Sequence, residues 1–321
     1  MTKPYSIASL TVAYNGADVL MRQLDALRRQ TRKLDEVIVV NNASTDDTVN
    51  LLVTEHPEVT VLNLPENGGV GGGYAAGLAY AALTKKYDWV WLFDQDSVPA
   101  NDGLERLLQG LEHLGSNADS TAILAPVCVH PGTKLPCPGF SWRGGRMIPV
   151  SGDSNQPTTL VDMVISSGSL VRRRAIEEVG LPRADFFMDF VDYEHCLRLR
   201  RHGFKIVVVR DSHLNHVLGD PSQFKLLGRT TYWTNHAPWR IYYRVRNEIF
   251  IVWQYYPNWT NKGLALYRLA RFAIASLLFG KQKLACLGMM HRGLLDGRAG
   301  RLGIRFCGSR VDEEFHVEVG M

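Results

Sequence analysis

Over the first hundred residues the apolar positions switch repeatedly between two periods. Ile7–Ala13 (IASLTVA) and Glu36–Asn41 (EVIVVN) are short β-branched runs, and each is followed by apolar residues at three- and four-residue steps, over Asp18–Gln30 and from Ser44 onward. Val59–Asn63 and Trp89–Phe93 extend the series, with Gly73–Leu83 between them as a small-residue helix. This rhythm predicts an α/β fold with a mostly parallel sheet flanked by helices, and such sheets bind ligands at the carboxyl ends of their strands. Four polar or glycine-rich segments fall at those ends: Tyr14-Asn15-Gly16, Asn41–Asp46, Asn67–Gly73 and Asp94-Gln95-Asp96. Beyond Asp96 shorter strands are expected over Ala122–Val127, Met147–Val150 and Val161–Val171, as a mixed edge carrying an acceptor region. Helical spacing returns at Val191–Arg201 and from Trp239 onward, and the weakly periodic stretch 217–237 between them is a candidate lid.

Composition narrows the class. The chain has 321 residues, 45% hydrophobic and 21% charged, which is enough for about two ordinary globular domains. Its five cysteines include no C-x-x-C pair, so neither a disulfide framework nor a cysteine zinc site is indicated, as suits a reducing cytoplasm. The opening residues lack a basic segment followed by an apolar run, so no secretory leader is expected. The longest late uncharged run, Phe272–Gly280, has nine residues, well short of the roughly 20 that cross a bilayer as a helix.

Charge is unevenly distributed. Thr260–Arg305 holds nine Lys or Arg against the single acid Asp296, a local charge of +8 in a chain of net +4, so the remainder carries −4. Apolar residues interleave with these cations at helical steps. Two readings stay open: a helical pair packed on the domain with solvated cations, or helices resting on an anionic membrane surface. The interleaving of apolar residues with clustered cations favours the membrane surface. No nucleic-acid motif accompanies the charge, and no nucleic-acid partner is expected.

Candidate chemistry gathers at the strand ends. Asp94 and Asp96 follow the apolar run WVWLF, and an i, i+2 pair on one strand face makes an oxygen-rich site suited to Mg²⁺ or Mn²⁺. The segment PENGGVGGGYAAG allows backbone N–H groups to approach phosphate oxygens, with a helix starting near Gly73, yet matches neither a P-loop nor a dinucleotide fingerprint. Asp189, Asp192 and Glu194 surround a helix start near Asp192; they exceed what capping needs, so one can serve as a general base, and Arg198 and Arg201 on that helix are available to a site. Of the histidines in DSHLNH, His216 is the better candidate ligand, while His213 is expected to orient a neighbour. His236 in HAPWRIYYRVRN is placed to reach phosphate or the lid. Neither H-E-x-x-H nor G-x-S-x-G occurs.

Six segments, SLTVAYN, VVNNASTDDT, PENGGVGGG, LFDQDS, ISSGSL and FFMDFVDYEHCLR, resemble in order and spacing those of the inverting family-two glycosyltransferases, and most closely the bacterial rhamnosyltransferases. The resemblance covers roughly residues 5–300. It implies the nucleotide-diphosphosugar transferase (GT-A) fold over residues 1–237, with a nucleotide-sugar half (1–100) and an acceptor half (101–237), followed by a basic amphipathic helical region (238–321). It further implies a divalent metal, Mn or Mg, on Asp94, Asp96 and His216. Tyr14, Asn15, Asn41 and Asp46 would line the nucleoside pocket; Asn67, Gly68, Gly69, Gly72 and Gly73 would meet the donor, with Asp94 and Gln95. Asp192 takes the place of the catalytic base, and Asp189, Glu194, His236 and Arg246 those of acceptor-side or accessory groups. Asn41 stands where Asp is common, and Val191 where an acid often precedes the base. The implied reaction moves a sugar, rhamnose from dTDP-rhamnose, to a hydroxyl of a cell-surface glycan or glycolipid, with the protein peripheral on the inner face of the cell membrane. A galactofuranosyltransferase using UDP-galactofuranose, a glycoside hydrolase with its two carboxylates, and a non-enzymatic sugar- or nucleotide-binding regulator are the alternatives.

Overall fold

A computed structural model of the chain describes residues 5–129, 136–137, 139–143, 146–150, 156–216, 222–226, 229–233, 236–280 and 282–306. In chain order the first half comprises β1 (Ile7–Ala13), α1 (Ala17–Arg28), β2 (Glu36–Asn41), α2 (Thr48–Glu55), β3 (Thr60–Asn63), α3 (Gly69–Leu78), β4 (Trp89–Asp94), β5 (Val98–Pro99) and α4 (Gly103–His113). There follow β6 (Thr121–Val129), β7 (Pro136–Cys137), β8 (Gly139–Arg143), β9 (Arg146–Val150), β10 (Thr158–Val161), β11 (Leu170–Arg172), α5 (Arg173–Val179), α6 (Val191–Arg201) and β12 (Lys205–Asn215). The last elements are β13 (Ser222–Leu226), β14 (Arg229–Trp233), α7 (Pro238–Tyr255), α8 (Trp259–Phe279) and α9 (Lys283–Ala299).

The main sheet runs β10-β12-β6-β11-β4-β1-β2-β3. Strands β4, β1, β2 and β3 are parallel neighbours, and β11 enters antiparallel between β4 and β6. β1 is buried along its whole length, as a strand covered by helices on both faces must be. Its register sets the site: Val12 lies opposite Asp94, and Ala13 opposite Asn41, so the β1, β2 and β4 ends finish at one edge.

The fold is the mixed α/β arrangement expected, with C-terminal helices, and local readings differ in detail. Val161–Val171 is two strands, β10 and β11, separated by a turn region in which Gly168 takes φ +79°. The stretch 217–237, expected as a lid, contains the antiparallel pair β13–β14; residues 217–221, 227–228 and 234–235 lie outside the described residues. The glycine-rich segment is mostly helix: α3 starts at Gly69 rather than near Gly73. A Cβ at Gly73 would sit 2.5 Å from a Val12 methyl, and one at Gly77 2.3 Å from a Leu10 methyl. Glycines four apart lie on one helix face, so these two let α3 press against β1. Helix packing, not loop flexibility, uses them.

The chain divides into two compact units: residues 1–142, 147–184 and 191–217 form one, and 143–146, 185–190 and 218–321 the other. Within the second, α7 is mostly buried, with Ile241, Tyr242, Val245, Ile249 and Val252 among its core residues and Arg240, Arg244 and Gln254 exposed. α9 packs along α7 so closely that a Cβ at Gly293 would meet the Tyr242 carbonyl at 2.7 Å. The described residues of the basic segment Thr260–Arg305 form the expected helical pair, α8 and α9, and α7 precedes it. Among the described residues no helix is long and apolar enough to cross a membrane.

Candidate active site

The D-Q-D turn is held from below. Gln23 on α1, wholly buried, donates to the Asp94 carbonyl at 2.5 Å and the Ser97 carbonyl at 2.8 Å, and accepts from the Thr11 hydroxyl. The Ser97 and Ser167 hydroxyls share a hydrogen bond of 2.5 Å, and Ser97 Oγ also meets His216 Nδ1 at 2.7 Å. Along the end of β12 and the residue after it, 212, 214 and 216 are buried while 211, 213 and 215 are exposed. That alternation carries His216 to the site and leaves His213 outward, so His213 does not orient its neighbours as expected.

Asp94, Asp96 and His216 each present a ligand atom, all within 4.8 Å of one another. Asp96 Oδ1 is buried without a hydrogen bond, and the nearby His216 Nδ1, 3.3 Å away, is engaged by Ser97. An acid oxygen withdrawn from water and lacking a donor is stabilised by a cation, and two carboxylates with one imidazole suit Mn²⁺ or Mg²⁺. The residues therefore fit the divalent metal. Burial opposes charge on His216, but the Asp96 and Asp94 carboxylates outweigh it and hold the imidazole above the ordinary histidine range. The Tyr74 hydroxyl donates to Asp94 Oδ1 at 2.9 Å; burial, reinforced by the charges of Asp94, Asp192 and Asp96, keeps it protonated far beyond the usual tyrosine range. Asp192 thus acts electrostatically on the same hydroxyl as the D-Q-D pair.

The surrounding loops are tied together by side chains. Gln95 accepts from the Tyr14 amide at 2.7 Å and returns a bond to the Tyr14 carbonyl at 3.1 Å, fastening the D-Q-D turn to the end of β1. Asn15, at φ +47°, accepts from the Thr45 amide, and its own amide donates to Ser44. Asp46 accepts from the Thr48 hydroxyl at 2.5 Å, from the Thr48 amide and from the Ala17 amide; slight burial works the other way, and the bonds leave its carboxyl below the ordinary aspartate value. Asn41 is buried, donating to Asn63 and accepting from the Ser44 amide. Asn67 accepts from the Gly69 amide and from Asn42, whose carbonyl oxygen takes the Gly68 amide. Gly72 faces open space. Tyr14, Asn15 and the exposed side of Asp46 remain at the rim, whereas Asn41 is committed to the loop itself.

The helix start carries a mixed set. Asp192 is half-buried in the first turn of α6 and accepts from the Tyr193 amide at 2.8 Å. Glu194 is fully buried and forked by Arg198 at 3.1 and 3.2 Å, and Arg198 also donates to the Val179 and Leu181 carbonyls. Arg198, expected to be available to a site, is spent on that structural pair because i, i+4 spacing sets the two side chains side by side. In the second unit, Asp189 pairs with Arg240 at 3.2 Å, and half-buried His236 is pushed below its ordinary value by burial and by Arg240 and Arg244. Arg246 is wholly buried: its guanidinium donates to the Gly303, Asp185 and Phe186 carbonyls and its Nε to Asn247.

Sequence reasoning did not single out Gln23, Asn42, Tyr74, Ser97 and Ser167. For Gln95 it gives only a place on the donor side, and the clamping of Tyr14 is not foreseen.

Residues 10–180 match the glycosyl transferase family 2 profile, more than half of the chain. This chain belongs to that family. The glycosyltransferase is 26% identical over 248 residues to a dTDP-rhamnosyl transferase, RfbF, of Shigella flexneri, covering 77% of this chain and 80% of that protein. It is 29% identical over 257 residues to the galactofuranosyltransferase GlfT1 of Mycobacterium tuberculosis H37Rv, covering 78% and 83%. Among solved structures it resembles GalNAc-T7 with UDP, GalNAc and Mn²⁺ at a TM-score of 0.60 and 15% identity, over 81% of this chain and 50% of that one. It also resembles S. aureus TarS 1-349 in complex with UDP at 0.54 and 15%, over 92% and 88%. The chain spans half the length of the GalNAc-T7 chain, and both likenesses concern the fold, which is that of the GT-A glycosyltransferases.

Proposed function

We propose that this glycosyltransferase transfers a sugar with inversion from a nucleotide-diphosphosugar, rhamnose from dTDP-rhamnose being the first candidate, to a hydroxyl of a cell-surface glycan or lipid-linked acceptor. The observation that carries the reading is the Asp94, Asp96 and His216 cluster with its unbonded, buried Asp96 oxygen, close enough to Asp192 that both charges act on Tyr74. The catalytic machinery is assigned to residues 1–237. The 238–321 region is taken to hold the enzyme peripherally at the inner face of the cell membrane, where such an acceptor resides.

Asp192 is assigned the proton transfer. Its carboxylate takes the proton from an acceptor hydroxyl as that oxygen bonds to the anomeric carbon, and the bond from that carbon to the diphosphate oxygen breaks. Position in the first turn of α6 favours the ionised form that a base needs. Asp94, Asp96 and His216 would hold Mn²⁺ or Mg²⁺, which supplies positive charge to the departing diphosphate. The clamps made by Gln95, Asn15 and Asp46 fix the nucleoside side of the cleft, and Tyr74 keeps Asp94 oriented. The second reading, transfer of galactofuranose from UDP-galactofuranose, is favoured by the 29% identity to GlfT1 over most of both chains. Thermal shift with a panel of dTDP-, UDP- and GDP-sugars, with and without Mn²⁺, tests both. Mn²⁺-dependent stabilisation by dTDP-rhamnose above the others is expected; preference for UDP-galactofuranose selects the second reading, and the absence of any metal-dependent response overturns the donor site.

A further inference from the structure

Helix α8 is arranged inside out for a helix on a globular surface. Only Asn261, Ala265 and Ser276 are buried. The exposed positions carry the large apolar side chains: Trp259 is 87% exposed, Leu278 63%, Tyr267 58% and Ile274 57%, with Leu266 and Leu277 also exposed. At roughly 100° per residue, Trp259, Leu266, Tyr267, Ile274, Leu277 and Leu278 fall on a single face, continuous over the helix's 21 residues. Scattered exposed apolar residues need no partner, but a contiguous stripe does.

The charges beside the stripe identify what it meets. Helix α8 contains no Asp or Glu, and the one acid of α9, Asp296, is buried against the Tyr242 hydroxyl at 2.7 Å and Arg305 at 3.0 Å. Exposed Arg271 lies against Tyr267 on the margin of the face; Lys262 flanks Trp259 with its amine over that ring at 5.3 Å, and Lys283 with 82% exposed Leu284 opens α9. An apolar face with a wholly cationic margin complements an anionic bilayer interface, where tryptophan and tyrosine seat at headgroup level and lysine and arginine meet phosphates. A symmetric pairing of two copies through this face would instead set each cationic margin against its own kind.

We infer that the outward face of α8, from Trp259 to Leu278 and continuing to Leu284, is the surface by which this protein docks in the plane of an anionic lipid membrane. This rests on the proposed reading that the enzyme works at a membrane, but the surface is defined without the catalytic site, and its test uses no donor or acceptor. The full chain is sedimented with phosphatidylcholine vesicles, with and without phosphatidylglycerol, beside the double variant Ile274→Glu/Leu278→Glu and the pair Arg271→Gln/Lys283→Gln. All four positions are exposed or on the helix rim, so melting should be unchanged. Wild type is expected to bind the phosphatidylglycerol vesicles at least tenfold more tightly than the neutral ones, and to weaken as salt rises past the ionic strength at which the screening length is ~8 Å. The glutamate pair should lose at least tenfold in vesicle affinity, and the glutamine pair should lose its preference for phosphatidylglycerol. Absence of wild-type binding to anionic vesicles, or unchanged binding by the glutamate pair, overturns the inference. So does light scattering that shows wild type as a dimer which the glutamate pair converts to a monomer while vesicle binding persists. Retained Mn²⁺-dependent nucleotide binding in a protein that ignores vesicles would reject the membrane face and leave the donor site standing.

Discussion

Two polar clusters, one in each unit, are built on opposite principles. In the second unit Arg246 is buried with its guanidinium spread over three backbone carbonyls and Asn247, while Asn247 donates to the Phe186, Met188 and Asp189 carbonyls at 2.8–3.0 Å. The Tyr242 and Tyr243 rings flank the cation at 5.5 and 4.7 Å. These donors restrain a segment whose Phe187, Asp189 and Phe190 all adopt positive φ, a conformation that needs external restraint in residues other than glycine. In the first unit the D-Q-D cluster gathers two acids around one imidazole and leaves Asp96 Oδ1 buried and unbonded. The first arrangement is complete and serves the fold. The second sets two carboxylates against one imidazole, an excess of negative charge that a bound cation would balance.

The largest test of that contrast is Asp96→Ala. If Asp96 exists for a cation, the change should abolish Mn²⁺-dependent nucleoside-diphosphate binding while melting changes little, since the carboxylate lost is half-exposed and its ionic partner is His216. Titration of dTDP with and without Mn²⁺, beside calorimetric melting, checks both; metal-dependent affinity equal to wild type would show that the excess of negative charge has another cause. Next comes Asp192→Asn. Asparagine caps a helix about as well as aspartate, so a capping role predicts little change, whereas loss of a general base predicts turnover lower by roughly 10²–10⁴-fold with donor affinity kept. Turnover within a few fold of wild type would reject Asp192 as the base and move attention to Asp189 or Glu194, of which Glu194 is fully buried under Arg198. Arg246→Met attacks the complete cluster. Removing the guanidinium's donors leaves the Gly303 carbonyl without its partner, while Asp185 keeps the Gly303 amide and Phe186 keeps Asn247, and should cost about 3 kcal/mol of stability, with a visible fall in melting temperature. A variant that melts like wild type would mean that the α7 clamp is redundant.

The contrast was only half legible in the sequence. Strands β1, β2 and β4 announce themselves by β-branched and aromatic runs whose ends carry the polar segments, so the site's location follows from topology. Alternation places Asp94 and Asp96 on one strand face, but β4 ends at Asp94 and the turn at 95–96 brings the second acid round instead. His216 could be nominated, but not fixed, because its approach depends on β12 pairing parallel to β6 across more than seventy residues of chain. Gln23, Tyr74, Ser97 and Ser167 were invisible for the same reason: what makes them important is a partner remote in sequence. The glycine-rich segment was legible only in part, because glycine permits close helix packing as readily as a phosphate loop, and the Val12 and Leu10 contacts assign Gly73 and Gly77 to packing. Arg246 resembles a substrate-binding arginine in sequence; only its burial against carbonyls gives it away.

The smallest expected effect separates the two clusters' logic within one unit, through two buried histidines with opposite shifts. His216 is held above its ordinary value by two carboxylates, whereas His195, on the far side of α6's first turn, is pushed down to about 3 by burial and the Arg198 charge, against a single bond to the Gly180 carbonyl at 3.3 Å. The sign follows from comparing folded and unfolded chains. Above the unfolded value of about 6.5 both hold neutral His195, so it contributes no slope; below it the unfolded chain binds a proton that the fold refuses. His195 should therefore withdraw stability, by at most about 1.4 kcal/mol per pH unit, as pH falls from about 6.5 toward 3. His195→Gln keeps an amide donor for Gly180 and cannot take up that proton, so its stability deficit relative to wild type should shrink, or reverse, between pH 7.5 and 4.5. Urea midpoints of the two proteins across that range check this, since the difference cancels groups common to both. A deficit constant with pH would show that the fold accommodates the charged imidazole, and that burial beside Arg198 does not set the protonation of this histidine as proximity to Asp94 and Asp96 sets that of His216.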